Sequence, residues 1–513
     1  MSVEMIHDYE SREKLQSGIN KLANVVKGTL GPKGRYVIID KPYGSPLITN
    51  DGVTIAKAIE FEDKFENMGA KLVKEVSSKT EEFSGDGTTT AIILTQSILN
   101  QGLRYVNNGA SPRFIKSGIE KTTKKLVEEL KKISRPVASK EDTKNIATVS
   151  SKSEEIGELI SDALEKVTKD GVVTVEEGKS FETTIEVLHG YHFDNGFASP
   201  YLADDQKNMT STLNQPLVLL YSDKLNHIND ILSILEEIMA QGKELLIIAD
   251  DFSEDFISTI VMNKIRGVLN VVLVKAPGYG TDKENILKDL SVLLKTNVYK
   301  KANDLKDLII ENLGTCNKIE IKKNQTIIFA DRTKEIDEYV EQLKEDEEKN
   351  KKRIAKLVGG IGVIKVGAST ETEAKEKKIR IEDALLATKA AMEEGVVAGG
   401  GIALLKAMEN VKVDLINEDE RNGYNIVKKA IEEPLKQIVI NSGDGAEVAF
   451  NYIKKHNFDI GYDALDGEYK DMFKAGIIDP LKNIRIALEN AVSITNLILL
   501  TGVAITEKKK EDK

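Results

Sequence analysis

The stretch Gly85-Asp86-Gly87-Thr88-Thr89-Thr90 brings one carboxylate, two glycines and three hydroxyls together in six residues. Apolar residues recur at helical spacing before it, from Phe65 to Phe83, and a further helix is predicted from Ala91 to Leu103. Glycine lets a backbone approach phosphate closely, and a helix N-terminus directs free N–H groups towards an anion. The stretch therefore predicts a phosphate site in which Asp86 binds Mg²⁺, and a helix cap without any ligand is the alternative.

Two further glycine-rich segments and two further carboxylates share this chemistry. The segments are Thr29–Gly34 and Gly399–Gly401, each beside a predicted helix. Asp51 lies in a predicted turn, and Asp383 lies at a predicted helix start. None of the three glycine-rich segments has the Gly-Lys-Thr or Gly-Lys-Ser of a P-loop at the required spacing. Taken singly, each glycine-rich segment is a turn or a helix cap more often than a ligand site.

The composition sets limits on the class of protein. With 513 residues the chain is too long for one hydrophobic core and is expected to form about three domains. The net charge of -11 argues against nucleic acid or an anionic membrane as a partner. A single cysteine, Cys316, excludes an intramolecular disulfide, and no targeting peptide is visible. The apolar segment Ala491–Ile505 is too short to span a bilayer and predicts a buried helix. We therefore expect a cytoplasmic protein.

The pattern of apolar residues changes along the chain. The first and last thirds predict helices with glycines at their ends, starting with Arg12–Lys27. Strand-like runs alternate with helical patterns in the middle, at Leu217–Tyr221, Ile228–Gln241, Leu245–Ala249, Phe252–Arg266 and Asn270–Val274. Charge dominates from Thr333 to Arg353, which predicts a solvated helix. We infer a multidomain α and α/β protein in which a discontinuous, mainly helical domain holds an inserted α/β domain.

Seven short segments, taken together, resemble the group I chaperonins of the GroEL type, the 60 kDa chaperonin family, and follow that family's order. The segments are Thr29–Arg35, Asp51–Thr54, Phe65–Ala70, Gly85–Thr90, Val274–Gly280, Gly395–Gly401 and Gly476–Pro480. The resemblance extends from about residue 11 to residue 505. It implies an ATP-dependent chaperone that captures non-native polypeptides and folds them in the cavity of a homo-oligomeric, seven-membered ring. A small GroES-type co-chaperonin would close this cavity.

The resemblance also implies a subunit of three domains. They would be an equatorial ATPase domain (1–133 and 395–513), an intermediate hinge domain (134–189 and 361–394) and an apical domain (190–360). Gly190 and Gly359-Gly360 match the hinge of the apical domain. The boundaries agree with the discontinuous arrangement inferred from the apolar pattern.

The family's nucleotide site carries over residue by residue. By this resemblance, Asp51 and Asp383 would be catalytic residues. Asp86 would bind Mg²⁺, with K⁺ as a further cation. The residues that would contact the nucleotide are Thr29, Leu30, Gly31, Pro32, Asn50, Asp86, Gly87, Thr88, Thr89, Thr90, Gly400, Asp463, Ala464 and Asp479. Asp383 lies in the second hinge segment, so that hydrolysis would depend on movement of this segment.

The chain departs from the family pattern at three informative positions. Asn50 stands where the family usually has a lysine that contacts phosphate, which removes one charge. Asp463 stands in place of the usual asparagine near the base. Gly445 stands where many members carry an acidic residue that contacts a second ring, so a double ring is left open.

The two predicted helices in the middle are apolar over a wide arc. In Ile228–Gln241 this arc is roughly 160°, wider than the ~100° that seats a helix on a core, so some apolar surface should stay exposed. Burial in the core is the alternative for any one of these side chains. By resemblance, the residues that contact non-native polypeptides are Phe197, Tyr201, Leu232, Leu235, Ile257, Val261 and Met262.

Two other functional classes compete with an ATP-driven chaperonin. A hydrolysis-deficient scaffold of the same shape is disfavoured by the presence of Asp51, Asp86 and Asp383, although Asn50 favours it weakly. A nucleotide-dependent oxidoreductase is rejected. Gly278-Tyr279-Gly280 lacks both the third glycine of the dinucleotide-binding fingerprint and the acidic residue after a second strand.

Overall fold

The computed structural model describes residues 3–40, 46–167, 172–178, 180–306, 308–456 and 459–507. The helices are α1 (Asp8–Val26), α2 (Gly52–Ala58), α3 (Lys64–Ser84), α4 (Thr88–Asn107), α5 (Pro112–Ile133), α6 (Lys140–Ser151), α7 (Glu154–Lys166), α8 (Leu232–Gln241), α9 (Glu254–Ile265), α10 (Thr281–Leu294), α11 (Ala302–Lys306), α12 (Lys334–Leu343), α13 (Glu347–Val358), α14 (Glu371–Glu394), α15 (Ala403–Met408), α16 (Glu418–Ala430), α17 (Glu433–Ser442), α18 (Ala446–Lys454) and α19 (Leu481–Leu499).

The strands are mostly short. They are β1 (Val3–His7), β2 (Val37–Ile39), β3 (Leu47–Thr49), β4 (Val172–Glu177), β5 (Thr184–Phe193), β6 (Thr210–Asn214), β7 (Leu217–Leu225), β8 (Leu245–Phe252), β9 (Val271–Lys275), β10 (Val298–Tyr299), β11 (Gly314–Thr315), β12 (Lys318–Lys322), β13 (Gln325–Phe329), β14 (Gly360–Val366), β15 (Val396–Ala398), β16 (Ile460–Asp463), β17 (Glu468–Asp471), β18 (Ile478–Pro480) and β19 (Val503–Glu507).

The chain divides into two compact units. Unit 1 contains the described residues of Met1–Ser161, Lys179–Phe181 and Val366–Lys513, and unit 2 contains those of Asp162–Gly178 and Glu182–Lys365. A mainly helical body from both ends of the chain with an inserted α/β part is the predicted fold class, which is confirmed. Both units hold parts of the predicted intermediate segments, so the intermediate domain and its boundaries remain predictions.

Unit 1 is organised around long helices whose apolar faces meet in one core. Fully buried side chains on α1, α4 and α19, such as Ile19, Leu94 and Leu488, belong to this core. The predicted buried helix at 491–505 ends at Leu499, and β19 then pairs antiparallel with β1. The helix ends there because the strand hydrogen bonds of Val503–Glu507 go to the N-terminal strand. Among the described residues, no helix combines the length and apolar character needed to cross a membrane.

Helices α1 and α3 cross with their backbones in contact. A Cβ atom at Gly18 would lie 1.8 Å from the carbonyl oxygen of Glu66, and one at Gly69 would lie 2.2 Å from that of Leu15. Both glycines are required here because any side chain would separate the helices. Ser17 donates a hydrogen bond to Glu66 at 2.8 Å beside the crossing. This contact fixes α3, whose C-terminal end leads into the Gly85–Thr90 stretch.

Unit 2 contains the predicted βαβ arrangement around a parallel sheet. Strands β10, β7, β8 and β9 lie parallel in that order. The predicted strand runs at 217–221 and 245–249 lie within β7 and β8, and the run at 270–274 overlaps β9 from residue 271. Their apolar runs are nearly continuous because side chains pack on both faces of the sheet. A second sheet has the order β4-β14-β5-β13-β12-β6 and was not predicted from the sequence.

The charged stretch at 333–353 differs from the predicted solvated helix. It forms α12 and the first part of α13, and Ile336, Val340 and Leu343 are buried. The apolar points are sparse, but their spacing of three and four residues places them on one face of α12. Arg353 holds the fully buried Asp289 through a 2.6 Å ion pair, so this segment belongs to the core of unit 2.

We expect Gly18→Ala to destabilise unit 1 although alanine favours helices over glycine. The added methyl group would overlap a backbone oxygen that no side-chain rotation can move, and overpacking of this kind costs about 1–3 kcal/mol. The apparent melting temperature of the variant should fall. Gly502→Ala is the control, because a Cβ atom at Gly502 meets no atom within 4 Å. Equal melting temperatures for Gly18→Ala and Gly502→Ala would contradict the close crossing.

Candidate functional site

The Gly85–Thr90 stretch forms a tight turn between α3 and α4. Gly85 and Gly87 have φ values of 74° and 87°, in the left-handed region that favours glycine. A Cβ atom at Gly85 would lie 2.1 Å from the Cβ atom of Leu386 on α14, so α14 packs directly on the turn. Helix α4 then begins at Thr88, and Gly87 at its N-cap offers no side chain to its first amides.

Asp86 is held by two hydrogen bonds. The Gly87 N–H donates to Oδ1 at 2.5 Å, and the Ser150 hydroxyl donates to Oδ2 at 2.9 Å. Burial raises the pKa of Asp86, although these hydrogen bonds and the positive charge of Lys152 oppose the increase. Asp86 does not cap the amides of Thr88, Thr89 or Thr90, so the alternative of a simple helix cap does not describe it.

Asp51 lies at the N-terminus of the short helix α2. Its carboxylate accepts hydrogen bonds from the amides of Val53 at 3.2 Å and Thr54 at 2.7 Å. A Cβ atom at Gly52 would lie 2.6 Å from the Thr89 hydroxyl oxygen, which places this turn against the start of α4. These hydrogen bonds therefore fix the orientation of the Asp51 carboxylate, which lies beside the Gly85–Thr90 turn.

Asp383 lies in the middle of α14, so its predicted place at a helix start is wrong, and it completes a group of three carboxylates. Burial raises its pKa well above the ordinary value, and the negative charges of Asp51 and Asp86 raise it further. The structure thus brings together the three aspartates that the sequence singled out, from positions more than 330 residues apart at the extremes, Asp51 and Asp383. Such a group, next to a helix N-terminus, has the electrostatics of a cation and phosphate site.

The Thr29–Pro32 loop is anchored near the same turn. The Asn441 side chain donates to the carbonyl oxygen of Leu30 at 2.8 Å, and Lys152 donates to that of Thr29 at 3.1 Å. Gly31 has a φ of 83°, which lets the chain reverse direction there. The loop is fixed on one side by α17 and on the other by the turn after α6.

The predicted ribose and base residues lie around β15, β16 and β18. A Cβ atom at Gly399 would lie 3.1 Å from Asp479 Oδ1, and burial raises the pKa of Asp479 to about 7, with Asp86 adding to the increase. Gly400 has a φ of 68° and approaches Met472, which lies next to Tyr462 in a small core. Gly399, Gly400 and Asp479 therefore lie in one region of unit 1.

Asp463 and Ala464, which the resemblance places near the base, are both enclosed by protein. Asp463 is buried, with Oδ2 accepting from Lys470 at 2.9 Å and Oδ1 accepting from the Leu465 amide at 3.0 Å. Ala464 is buried as well. The carboxylate of Asp463 thus already has partners, and its contact with a base remains a prediction.

The donor set fits Mg²⁺ only in combination with phosphate. Within the described ranges, no three His, Cys, Asp or Glu side chains are grouped closely enough to hold a metal ion by themselves. Mg²⁺ is ordinarily held by one or two carboxylates together with substrate phosphates and water, which matches a single carboxylate at the start of a helix. Asp86 lies at such a position, directly before the Gly87 N-cap of α4, and its role as the Mg²⁺ ligand remains a prediction.

The residues predicted to contact non-native polypeptides differ widely in exposure. Tyr201, Leu232 and Met262 are 66%, 42% and 49% exposed, whereas Phe197 and Ile257 are partly buried. Leu235 and Val261, at 3% and 9%, are buried, so their expected exposure is wrong.

Leu235 and Val261 are buried because both pack in the core that α8 and α9 share with the parallel sheet. The arc of side chains that this core buries on each helix is wider than the ~100° apolar stripe by which a helix usually packs on a core. Two exposed neighbours on the same apolar arcs, Met239 on α8 and Ile265 on α9, were not among the residues that the resemblance assigned to this contact. Together with Tyr201, Leu232 and Met262 they are termed the exposed apolar set below.

Ser150 and Lys152 are site residues that sequence reasoning missed. Ser150 lies in the last turn of α6 and contacts Asp86, and Lys152 directly follows this helix and contacts Thr29. The sequence Ser150-Ser151-Lys152-Ser153 has no glycine and no recognised phosphate pattern. Only the fold brings this turn to the Gly85–Thr90 stretch.

Comparison with known proteins gave two kinds of match. A family model described as TCP-1/cpn60 chaperonin family matches residues 22–509. Two crystal structures of the chaperonin gp146 from bacteriophage EL 2 (Pseudomonas aeruginosa), both in the presence of ATP-BeFx, resemble this chain with TM-scores of 0.73 and 0.66. Each is 22% identical, and the match covers 98% of this chain and 99% of the other. The likeness to gp146 shows a common fold.

We expect Asp383→Asn to stabilise the nucleotide-free protein at pH 8. A carboxyl whose folded-state pKa is raised binds its proton more tightly in the folded state, so stability falls as pH rises above the unfolded value of about 3.9. An amide removes this loss and the repulsion from Asp51 and Asp86. The apparent melting temperature should rise by about 2 °C or more at pH 8, and the gain should disappear near pH 4.

The matched control for this test is Asp414→Asn, because Asp414 is an exposed carboxylate in the same unit. It should leave the melting temperature unchanged at both pH values. A variant Asp383→Asn that melts at or below the wild-type temperature at pH 8 would show that the three carboxylates do not repel each other.

Proposed function

Since this chain belongs to the TCP-1/cpn60 chaperonin family, as its motifs indicated, we propose that it is a cytoplasmic, ATP-hydrolysing chaperone. It acts as a homo-oligomeric ring of seven subunits that captures non-native polypeptides and encloses them beneath a small co-chaperonin. A second ring is left open by Gly445. The ATPase proposal rests on one observation. Asp51, Asp86 and Asp383 lie close enough to influence one another's charge, at the N-terminus of α4.

The start of α4 supplies the phosphate-binding part of the proposal. Its first amides have no capping side chain at Gly87, and the hydroxyls of Thr88, Thr89 and Thr90 follow directly. The Thr29–Pro32 loop, Asn50, Gly400, Asp463, Ala464 and Asp479 complete the nucleotide contacts in this proposal. Asp86 would hold Mg²⁺, which would supply positive charge to neutralise the phosphates, with K⁺ as a further cation. The gp146 structures, obtained with ATP-BeFx, support nucleotide binding by this fold.

Asp383 is the residue that we assign to the attacking water. Its raised pKa moves the carboxyl towards the range in which it accepts a proton at neutral pH. The water oxygen forms a bond to the γ-phosphorus, the bond to the β,γ-bridging oxygen breaks, and the water proton passes to Asp383. Asp51, whose orientation is fixed by the amides of Val53 and Thr54, orients the water or its hydrogen-bond partners.

Helix α14 must be seated against the turn for this reaction. Leu386 on α14 contacts Gly85, so the same packing that closes the turn positions Asp383. A movement of α14 away from Gly85 would withdraw Asp383 and stop hydrolysis without removing Asp86. Hydrolysis is thereby gated by the position of the second hinge segment.

The exposed apolar set in unit 2 is the proposed surface for non-native polypeptides and for the co-chaperonin. Apolar burial is non-directional, so such a surface binds unfolded chains without reading their sequence. The side chains that we assign to this contact are Tyr201, Leu232, Met239, Met262 and Ile265. Phe197 and Ile257, which are partly buried, contribute at most their exposed edges.

A hydrolysis-deficient binding scaffold is the second candidate. It would keep the fold and the exposed apolar set while lacking turnover. Asn50, which replaces a charged residue of the family pattern, favours it. The intact group of Asp51, Asp86 and Asp383 favours hydrolysis.

We expect Asp383→Ala to abolish turnover while leaving ATP binding intact. Loss of a proton acceptor lowers the rate by about 10²–10⁴-fold, because general base catalysis contributes that much. Phosphate release and ATP binding should be measured on the same preparation. Asp86→Ala should lose both, and the exposed Asp414→Ala should lose neither. A wild-type protein that binds ATP without turnover would favour the scaffold instead.

For the exposed apolar set, we expect Leu232→Ser and Met262→Ser to fold normally but to fail in preventing aggregation of an unfolded protein. The matched control is Leu235→Ser on the same helix as Leu232. Because Leu235 is buried, its truncation should destabilise unit 2 by about 2–5 kcal/mol. Thermal unfolding and an aggregation assay separate the two effects. Stable Leu232→Ser and Met262→Ser proteins with full activity in the aggregation assay would exclude this surface.

A further inference from the structure

Strand β5 takes part in two ladders of the second sheet of unit 2. Its residues 184–189 pair with β14, and its residues 190–193 pair with β13. A Cβ atom at Gly190 would lie 2.2 Å from the carbonyl oxygen of Ile328 on β13 and 2.5 Å from Cδ1 of Ile361 on β14. The two ladders therefore meet at Gly190, where any side chain would push them apart.

Three charged side chains bridge the outer strands of these ladders. Glu176 lies on β4, which neighbours β14, and Lys318 and Glu320 lie on β12, which neighbours β13. Lys318 Nζ donates to Glu176 Oε1 at 2.5 Å and to Glu320 Oε1 at 2.6 Å. Nζ also lies 5.4 Å from the ring of Phe329, in the apolar cluster that the two ladders share. These contacts, termed the β4–β12 bridge below, tie one ladder to the other.

Glu320 places a second carboxyl group beside a single hydrogen-bonded ammonium. It is only 8% exposed, although it lies on the same face of β12 as Lys318 and Lys322. Burial raises the pKa of Glu320, the hydrogen bond from Lys318 opposes this, and the contact with Glu176 raises the pKa further. Glu320 therefore favours its protonated form in the folded protein.

Glu176 responds in the opposite direction. Burial disfavours its ionised form, but the hydrogen bonds from Lys318 and Glu320 outweigh this and lower its pKa. The other nearby charges are Lys322 on β12, which favours ionisation of Glu320, and Lys365 on β14, which favours ionisation of Glu176. The two carboxyl groups thus divide into one that keeps a proton and one that accepts it in a hydrogen bond.

We propose that a proton held between Glu320 and Glu176 controls whether β4 stays bound to β12. With this proton in place, the two carboxyl groups and Lys318 together carry no net charge, and each carboxyl group has a hydrogen-bond partner. Without it, two carboxylates face one ammonium in a partly enclosed cluster, and their repulsion is relieved when β4 moves away. The two ladders then turn more freely about Gly190. The bridge contains no part of the nucleotide site, so this inference is independent of the proposed ATPase.

The direction of the pH effect follows from the two carboxyl groups. Because the folded-state pKa of Glu320 is raised, its contribution to stability is lost as the pH rises from the unfolded value of about 4.3 through the folded one. Because the folded-state pKa of Glu176 is lowered, its contribution is lost only as the pH falls below that ordinary value. The β4–β12 bridge is therefore tightest at mildly acidic pH and loosens as the pH rises.

The decisive variant is Glu320→Gln, because an amide keeps the neutral form of this side chain at every pH. Hydrogen–deuterium exchange at residues 172–177, corrected for the intrinsic exchange rate at each pH, should increase in wild type from pH 5 to pH 8. It should stay constant in Glu320→Gln. At pH 8 the variant should exchange about tenfold more slowly than wild type, the factor that one pH unit of proton linkage supplies.

Two further variants serve as controls. Glu311→Gln, which changes an exposed carboxyl group of the same unit, should exchange like wild type at both pH values. Glu176→Gln should exchange rapidly at residues 172–177 at both pH values, because β4 loses its ion pair with Lys318.

Three outcomes overturn the inference. The first is equal exchange of β4 in wild type and Glu320→Gln at pH 8. The second is a corrected wild-type rate that does not change between pH 5 and pH 8, a measurement that requires no variant to fold. The third is a pH dependence that Glu320→Gln retains, which would assign the proton to another group. The proposed ATPase is unaffected by all three, since Asp383→Ala tests it separately.

Discussion

Asp51, Asp86 and Asp383 come from three separate stretches of the chain, and their negative charges act on one another in a partly enclosed site. Their approach is possible because glycines stand at the contacts: Gly52 against Thr89, and Gly85 against Leu386. Burial and mutual repulsion raise the pKa values of Asp86 and Asp383, so the nucleotide-free protein holds these groups at a cost in stability. The surrounding helices must supply that stability.

This cost in folding stability explains why several elements pack around the site and hold it in place. The core of unit 1, the backbone contact of α1 with α3 at Gly18, and the packing of α14 on Gly85 hold the turn in place from outside. Inside it, Ser150 and Lys152 provide the hydrogen bond and the charge that favour the ionised form of Asp86. A bound cation and phosphate would complete this compensation, so that ligand binding and folding of the site favour each other. Strain concentrated at a functional site is expected when function requires it.

Local signals in the sequence were sufficient for many of the helices and for the strands of the parallel sheet, whereas the roles of Asp51 and Asp383 were predicted only from the family resemblance. Glycine-rich helix starts and the near-continuous apolar runs of β7, β8 and β9 are visible within a few residues, because each reflects a local backbone or burial requirement. The burial of Leu235 and Val261, the second sheet of unit 2 and the arrival of Lys152 at Thr29 depend on packing between distant segments. Periodicity gives the width of an apolar face but not the amount of core that will cover it.

The central claim is that separate stretches of unit 1 form one nucleotide site, and hydrogen–deuterium exchange with and without Mg²⁺ and ATP tests it most directly. The account predicts slower amide exchange in 29–34, 51–55, 85–92 and 380–388 together, since one ligand would order all four stretches. The exchange of β7, β8 and β9 in unit 2 serves as the internal reference. Protection confined to one of these stretches, or its absence from the α14 stretch that carries Asp383, would contradict the account.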